Sequence, residues 1–231
     1  MDNALFVFVD LETTGLSIAD DSIVEIGCTD LQGASFGVVV RPPDLSRASA
    51  ASSVHGIDLK EIERGAPFPE AFSNPVDFLD NLSRTIPEED DSSDDECASQ
   101  TRFRETATIV LVGHNGKKFD YPMLCSECIR QCVSWTSLMY WRYVDTLEVL
   151  RAVDSGIVGG CVKLQCLVQR CAPHSDLRSH RALDDSIALR DVVLHVSDAL
   201  GVSPSALLRP FIVSMEAACT RASMHMLLGA T

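Results

Sequence analysis

The sequence is short of positive charge. It holds 19 Lys and Arg against 33 Asp and Glu in 231 residues, a formal charge of −14. That shortage excludes a broad basic face that grips nucleic acid by displacing counterions from phosphates. A polyanion handled by this chain must meet positive charge from another source. Aromatic residues are also few, at 6%, which argues against a long platform for stacking the bases of a single strand. Long apolar runs are missing. Leu5–Val9 and Ile109–Val112 are strand-sized, far below the ~20 residues of a spanning helix. No basic stretch precedes the first apolar run, which flows into Asp10 and Glu12, unlike a secretory signal. The expectation is an intracellular protein of cytoplasm or nucleus, with no membrane partner. The nine cysteines are odd in number and scattered, so reduced thiols are expected. Cys125, Cys128 and Cys132 fall at i, i+3, i+7, one stripe of a helix. Buried small side chains explain them without zinc, because no second ligand pair has matching spacing.

What is present suffices for a core. Hydrophobic residues reach 46%, and the length suits a single domain over 1–231. Leu5–Val9 reads as a buried strand, and residues 22–30 and 34–40 read as two more joined by a Gln32-Gly33 turn. Residues 44–66 read as loop with small helical pieces, and residues 69–83 as a helix. The block from Glu88 to Glu96 carries seven acids and no base. It cannot bury apolar area, so 87–106 is expected to be a disordered insertion. Residues 108–112 predict a fourth strand, followed by the turn Gly113–Gly116 and a helix over 119–132. Tyr143-Val144 predicts a short fifth strand. Helices are predicted over 163–170, 182–199, 203–208 and 213–228. Three meander strands followed by strand–helix–strand–helix predict an α/β fold, a mixed five-stranded sheet flanked by helices.

Certain carboxylates stand at strand ends or helix starts. Asp10 and Glu12 are two apart, which puts them on one face of an extended chain; a solvated strand end is the alternative. Asp120 opens a helix, where a macrodipole alone would favour an acid. Asp185 lies in HRALDD at the start of the long helix. His180 is five residues before it, about 140° around a helix, so the two converge only if His180 lies in the lead-in loop. An imidazole there suits a general base. Four gathered carboxylates repel and raise one another's pKa unless a cation pairs them. Oxygen donors of this kind suit Mg2+ or Mn2+, and two such ions can stabilise the oxygens of a phosphodiester displacement.

With those residues in order, the sequence resembles the DEDDh branch of the DnaQ-like 3′–5′ exonucleases, of ribonuclease-H-like fold. FVDLETTGL, GHNGKKFD and HRALDD match its three motifs; VHGI, VDTLE and KLQCL are lesser matches. The resemblance spans residues 4 to about 198, and the compact size is similar to the stand-alone three-prime repair exonucleases. It implies a metal-dependent enzyme that hydrolyses phosphodiester bonds at 3′ ends and releases nucleoside 5′-monophosphates. Asp10, Glu12 and Asp185 would hold one ion, and Asp10 and Asp120 a second. His180 would deprotonate the attacking water. Backbone at Thr13, Thr14, Gly15 and Leu16 would cradle the terminal nucleotide, Leu16 acting as a wedge, and Asn115 would touch the substrate backbone. His55 is either a site-lining or a structural loop histidine. Lys117, Lys118, Arg178 and Arg181 are candidates for phosphate contact or, equally, solvated bases.

The expected partner is a 3′ end of single-stranded DNA or RNA, with DNA favoured and a homodimer left open. An oligoribonuclease-like RNA-trimming enzyme shares every one of these residues. A non-catalytic adaptor using the acidic block is the reading from another class. It gives no physical reason for five convergent groups.

Overall fold

The computed structural model describes residues 3–85, 107–134, 137–153, 155–172 and 180–229. The acidic block at 87–106 and Arg178 lie outside the described residues. Element order is β1 (Ala4–Thr13), β2 (Ile23–Asp30), β3 (Ser35–Arg41), α1 (Leu45–His55), α2 (Leu59–Arg64), β4 (Ala66–Pro67), α3 (Phe68–Thr85), β5 (Thr108–Gly113), α4 (Asp120–Arg130), β6 (Arg142–Asp145), α5 (Thr146–Ala152), α6 (Ser155–Val158), α7 (Leu164–Cys171), α8 (Ala182–Leu200), α9 (Pro204–Leu208), β7 (Val213–Ser214) and α10 (Glu216–Gly229).

The strands form one mixed sheet in the order β4-β3-β2-β1-β5-β6-β7. β1, β2 and β3 are an antiparallel meander, while β5 and β6 lie parallel to β1. The sheet therefore has seven strands among the described residues, not five. The two additions, β4 and β7, are two residues each, too short to carry a period-2 signal.

Both faces of the sheet are covered, and β1 shows how. Its odd positions Leu5, Val7, Val9 and Leu11 pack with Phe68 and Phe72 of α3, Met123 and Leu124 of α4, and Ala218 of α10. Its even positions Phe6 and Phe8 pack with Leu189 and Val193 of α8. Strand alternation therefore sends Asp10 and Glu12 to the α8 side of the sheet. α8 meets that face closely. A Cβ on Gly27 of β2 would stand 2.2 Å from the carbonyl carbon of Ala182 and the nitrogen of Leu183. Only glycine lets the first turn of α8 rest on the strand, and Gly27 is the register partner of Asp10.

Other boundaries moved. The stretch 45–64 is two helices, each capped by an aspartate, Asp44 and Asp58. The 146–152 helix, α5, is absent from the sequence reading, because it follows β6 without a break. Among the described residues, no helix is long and apolar enough to cross a membrane.

Gly27→Ala should destabilise the fold by about 1–3 kcal/mol, the range of core overpacking, because backbone rather than a mobile side chain must move. Urea denaturation checks this; an unchanged midpoint and slope would show that α8 tolerates the added methyl.

Candidate functional site

The carboxyl end of β1 gathers the acidic groups. Asp10 and Glu12 lie within the strand, which runs on to Thr13. Asp120 opens α4, and Asp185 sits in the first turn of α8. The donor atoms of Glu12, His180 and Asp185 all lie within 4.8 Å of one another. His180 falls in the lead-in to α8, with left-handed backbone at φ 65°. From there its N–H donates to Asp185 Oδ2 at 3.0 Å. The five-residue spacing is thus bridged by an irregular lead-in, not by helix geometry.

The electrostatics of this end are unfavourable to the bare chain. Desolvation raises Asp10 well above the ordinary carboxylate range, and the charges of Asp120, Asp185, Glu12 and Glu25 add to it. Desolvation also pushes Glu12 up to about 7, with Asp185 and Glu25 adding and Arg181 opposing. Asp120 is pushed up to about 7 by burial, although backbone N–H groups, including that of Leu11, hold it back. Asp185 is raised by burial, against the His180 N–H. Such a donor set, all oxygen and nitrogen and proton-rich for want of a counter-charge, fits a hard divalent cation.

Three further acids position the site. Glu25, in β2, is the register partner of Glu12. It takes two Arg181 donors, Nε at 3.0 Å and Nη2 at 2.7 Å, on Oε1, and the Ala182 N–H at 2.9 Å on Oε2. Arg181 also reaches Glu61 of α2 at 2.9 Å. Asp145, at the end of β6, accepts the N–H groups of Asn115, Lys117 and Leu147. It thereby shapes the Gly113–Lys117 turn, in which Asn115 is left-handed at φ 63°. Asp21 accepts from Ser17 N–H, Thr14 Oγ1 and Arg47, and lies where a Gly15 side chain would collide with it.

Several expectations change here. Arg181 is not a loop base awaiting phosphate, since two carboxylates engage it. Lys117 pairs with Glu148 at 2.6 Å, and Lys118 is exposed. In the loop expected to cradle a nucleotide, Thr13 Oγ1 donates to the Gly15 carbonyl, and the Thr14 amide is committed to the Ser22 carbonyl at 2.9 Å. That amide is therefore lost to a cradle. Leu16 is 82% exposed. His55 is buried, with Nδ1 accepting from the Ile57 N–H. Cys125 and Cys128 are buried on α4, and the Cys125 sulfur lies 2.8 Å from that of Cys219 on α10. Cys161 and Cys166 are joined as a disulfide, against the expectation of reduced thiols throughout. Sequence reasoning passed over Glu25, although an acid inside the apolar run SIVEIG signals a buried ion pair. Asp145 is visible only as part of VDTLE.

A family model described as exonuclease (RNase_T) matches residues 7–108. The Arabidopsis thaliana protein "Exonuclease DPD1, chloroplastic/mitochondrial" is 28% identical over 203 residues, 85% of this chain and 57% of that protein. A "DNA polymerase III PolC-type" of Thermotoga petrophila is 26% identical over 200 residues, 84% of this chain and 12% of the polymerase. The chain thus spans little more than half of the plant relative. Among solved structures, "crystal structure of full-length 3'-exonuclease" superposes with TM-score 0.60 at 14% identity, covering 92% of this chain and 90% of that one. A second, "3'-end specific recognition of histone mRNA stem-loop by 3'-exonuclease", gives 0.58 at 15% identity, covering 84% and 64%. These likenesses show a ribonuclease-H-like fold.

A divalent cation held by these carboxylates would compete with protons for them. Glu12 and Asp120 are raised to about 7, above their unfolded values near 4. A raised carboxylate favours the fold at low pH and weakens it as pH climbs from about 4 through 7. Bound cation removes that penalty, so Mn2+ should raise Tm more at pH 8 than at pH 6. Equal shifts at both pH values in a thermal melt would show that these acids do not hold the ion.

Proposed function

We propose that this chain, matched over residues 7–108 by a family model described as exonuclease (RNase_T), is a metal-dependent 3′–5′ exonuclease of the DnaQ-like kind. The observation that carries the reading is the meeting of Glu12, His180 and Asp185 at the end of β1, with their donor atoms within 4.8 Å. The oxygen donors of Asp10, Glu12 and Asp185 would hold one Mg2+ or Mn2+, and those of Asp10 and Asp120 a second. The ions would supply charge stabilisation to the phosphate under attack. His180, on an exposed lead-in, would take the proton of the attacking water, and Asp185 would orient it through the main chain. Gly15 and Leu16 would receive the terminal nucleotide, with the exposed Leu16 side chain against its base. Asn115 would meet the strand one step back. The product would be a nucleoside 5′-monophosphate.

Substrate sugar is the open branch of this reading. The polymerase relative favours DNA, and the structural neighbour named for histone mRNA favours RNA. The single domain over 1–231, with 87–106 as an acidic insertion, belongs to the same proposal, as does work inside the cell. The plant relative's name assigns it to organelles.

The test is an end-labelled single strand with Mg2+, run as matched DNA, RNA and dinucleotide. Asp185→Ala should abolish shortening, and His180→Ala should lower kcat about 10²–10⁴-fold, the usual contribution of a general base, while still binding Mn2+. Wild-type turnover in the His180 variant would take the imidazole out of the mechanism. No shortening of any substrate by the parent would sink the enzyme reading.

A further inference from the structure

The loop between α6 and α7 touches two of the three motifs. Cys161 of that loop and Cys166 of α7 are five apart in sequence and joined as a disulfide, with Cα atoms 6.0 Å apart, ordinary for such a bond. Both are half-buried, so a small thiol reagent can reach them. Arg170 of α7 donates back to the Cys161 carbonyl, fastening the same loop a second time. Within the closed loop, the Val162 backbone bonds to His114. That histidine's Nδ1 lies 2.9 Å from Thr146 Oγ1, which in turn donates to the Gly113 carbonyl. The loop therefore leans on the turn that precedes Asp120.

Its other end reaches the third motif. Gln165 stands immediately before Cys166 in the first turn of α7. Its amide nitrogen lies 3.1 Å from His180 Nε2. An amide N–H has only one way to bond an imidazole nitrogen at that distance: it donates to the ring's lone pair. That lone pair is what a base uses to accept a proton. Gln165 is otherwise exposed, so fixing its long side chain on His180 has an entropic cost. The cross-link lowers that cost by holding the backbone of its turn.

We propose that Gln165 is a positioning residue for His180 and that the Cys161–Cys166 pair sets it. Joined, the pair keeps Gln165 on the imidazole and the base withheld; as thiols, it frees the turn and releases the base. The inference rests on the reading of His180 as the general base. Closing the pair removes two protons and two electrons from two thiols and forms the Sγ–Sγ bond. A small-molecule disulfide such as oxidised glutathione accepts both electrons and protons and leaves as two thiols.

The test measures kcat and KM on a single-stranded 3′ end with Mg2+, in reduced and in oxidised glutathione buffer. The state of the pair is read from the mass of its peptide. Oxidation should lower wild-type kcat about 2- to 10-fold, the range one net hydrogen bond spans, with KM unchanged. Cys161→Ser/Cys166→Ser should run at the reduced rate in both buffers. Gln165→Ala should do so even with the disulfide formed. A wild-type kcat that ignores a confirmed disulfide, or a Gln165→Ala variant slowed in both states, overturns the proposal. The His180 ring nitrogen resonances, assigned with His180→Ala, should shift on oxidation in wild type and stay fixed in Gln165→Ala. They decide the matter without turnover. If they move in a protein that hydrolyses nothing, the exonuclease reading fails and the Gln165 device stands. If they do not move, the device fails whatever the activity.

Discussion

One guanidinium holds the acidic end of the sheet together. Arg181 bonds Glu25 through two donors and reaches Glu61, while Glu25 also takes the Ala182 N–H. Unit charges 4 Å apart repel by about 1 kcal/mol in water and several times more near a protein surface. Asp10, Glu12, Asp120, Asp185 and Glu25 would therefore push the start of α8 away from β1 and β2. The Arg181 clasp opposes that push where Gly27 lets α8 touch the strand. It does not neutralise the cluster: Glu12 still rises to about 7 with Arg181 beside it. The fold thus brings the acids together and leaves their charge for something else to balance.

Two kinds of carboxylate result. Glu25, Asp145 and Asp21 each accept several hydrogen bonds, and they fix respectively the α8 lead-in, the Gly113–Lys117 turn and the loop after β1. Their oxygens are spent on the chain itself. Asp10, Glu12, Asp120 and Asp185 are raised, because desolvation outweighs the few donors they receive. The first set makes the geometry, and the second keeps its lone pairs. On the exonuclease reading, that division is what a cation site needs, since a ligand already saturated by N–H donors has little left for an ion.

How much of this was legible depended on range. Asp10 and Glu12 were readable from strand parity alone, and parity also places them beside Phe6 and Phe8 on the α8 side. The need for His180 in a lead-in followed from five residues of helix geometry. Arg181 was misjudged, because its partners Glu25 and Glu61 are 156 and 120 residues away, and no local pattern carries such a pairing. The two-residue strands β4 and β7 exist only as pairings with β3 and β6. The Cys161–Cys166 bond was hidden by the odd cysteine count, which speaks to frameworks and not to one short loop.

The shortage of basic residues now has a structural counterpart. Arg47, Lys117, Arg130, Arg181 and Arg190 each pair with a carboxylate of this chain. Arg130 further ties down the carbonyls of Ile18, Ala19 and Asp21. These five are committed within the fold, and the 33 acids of the chain outnumber its 19 bases, so attraction must be local. A carboxylate cluster is repulsive to phosphate until a divalent ion enters, and attractive at that one point afterwards. The same acids that make the chain a poor binder of nucleic acid along its length would make it selective for a single end. On the exonuclease reading, acidity in this fold is then the means by which substrate affinity would depend on the metal.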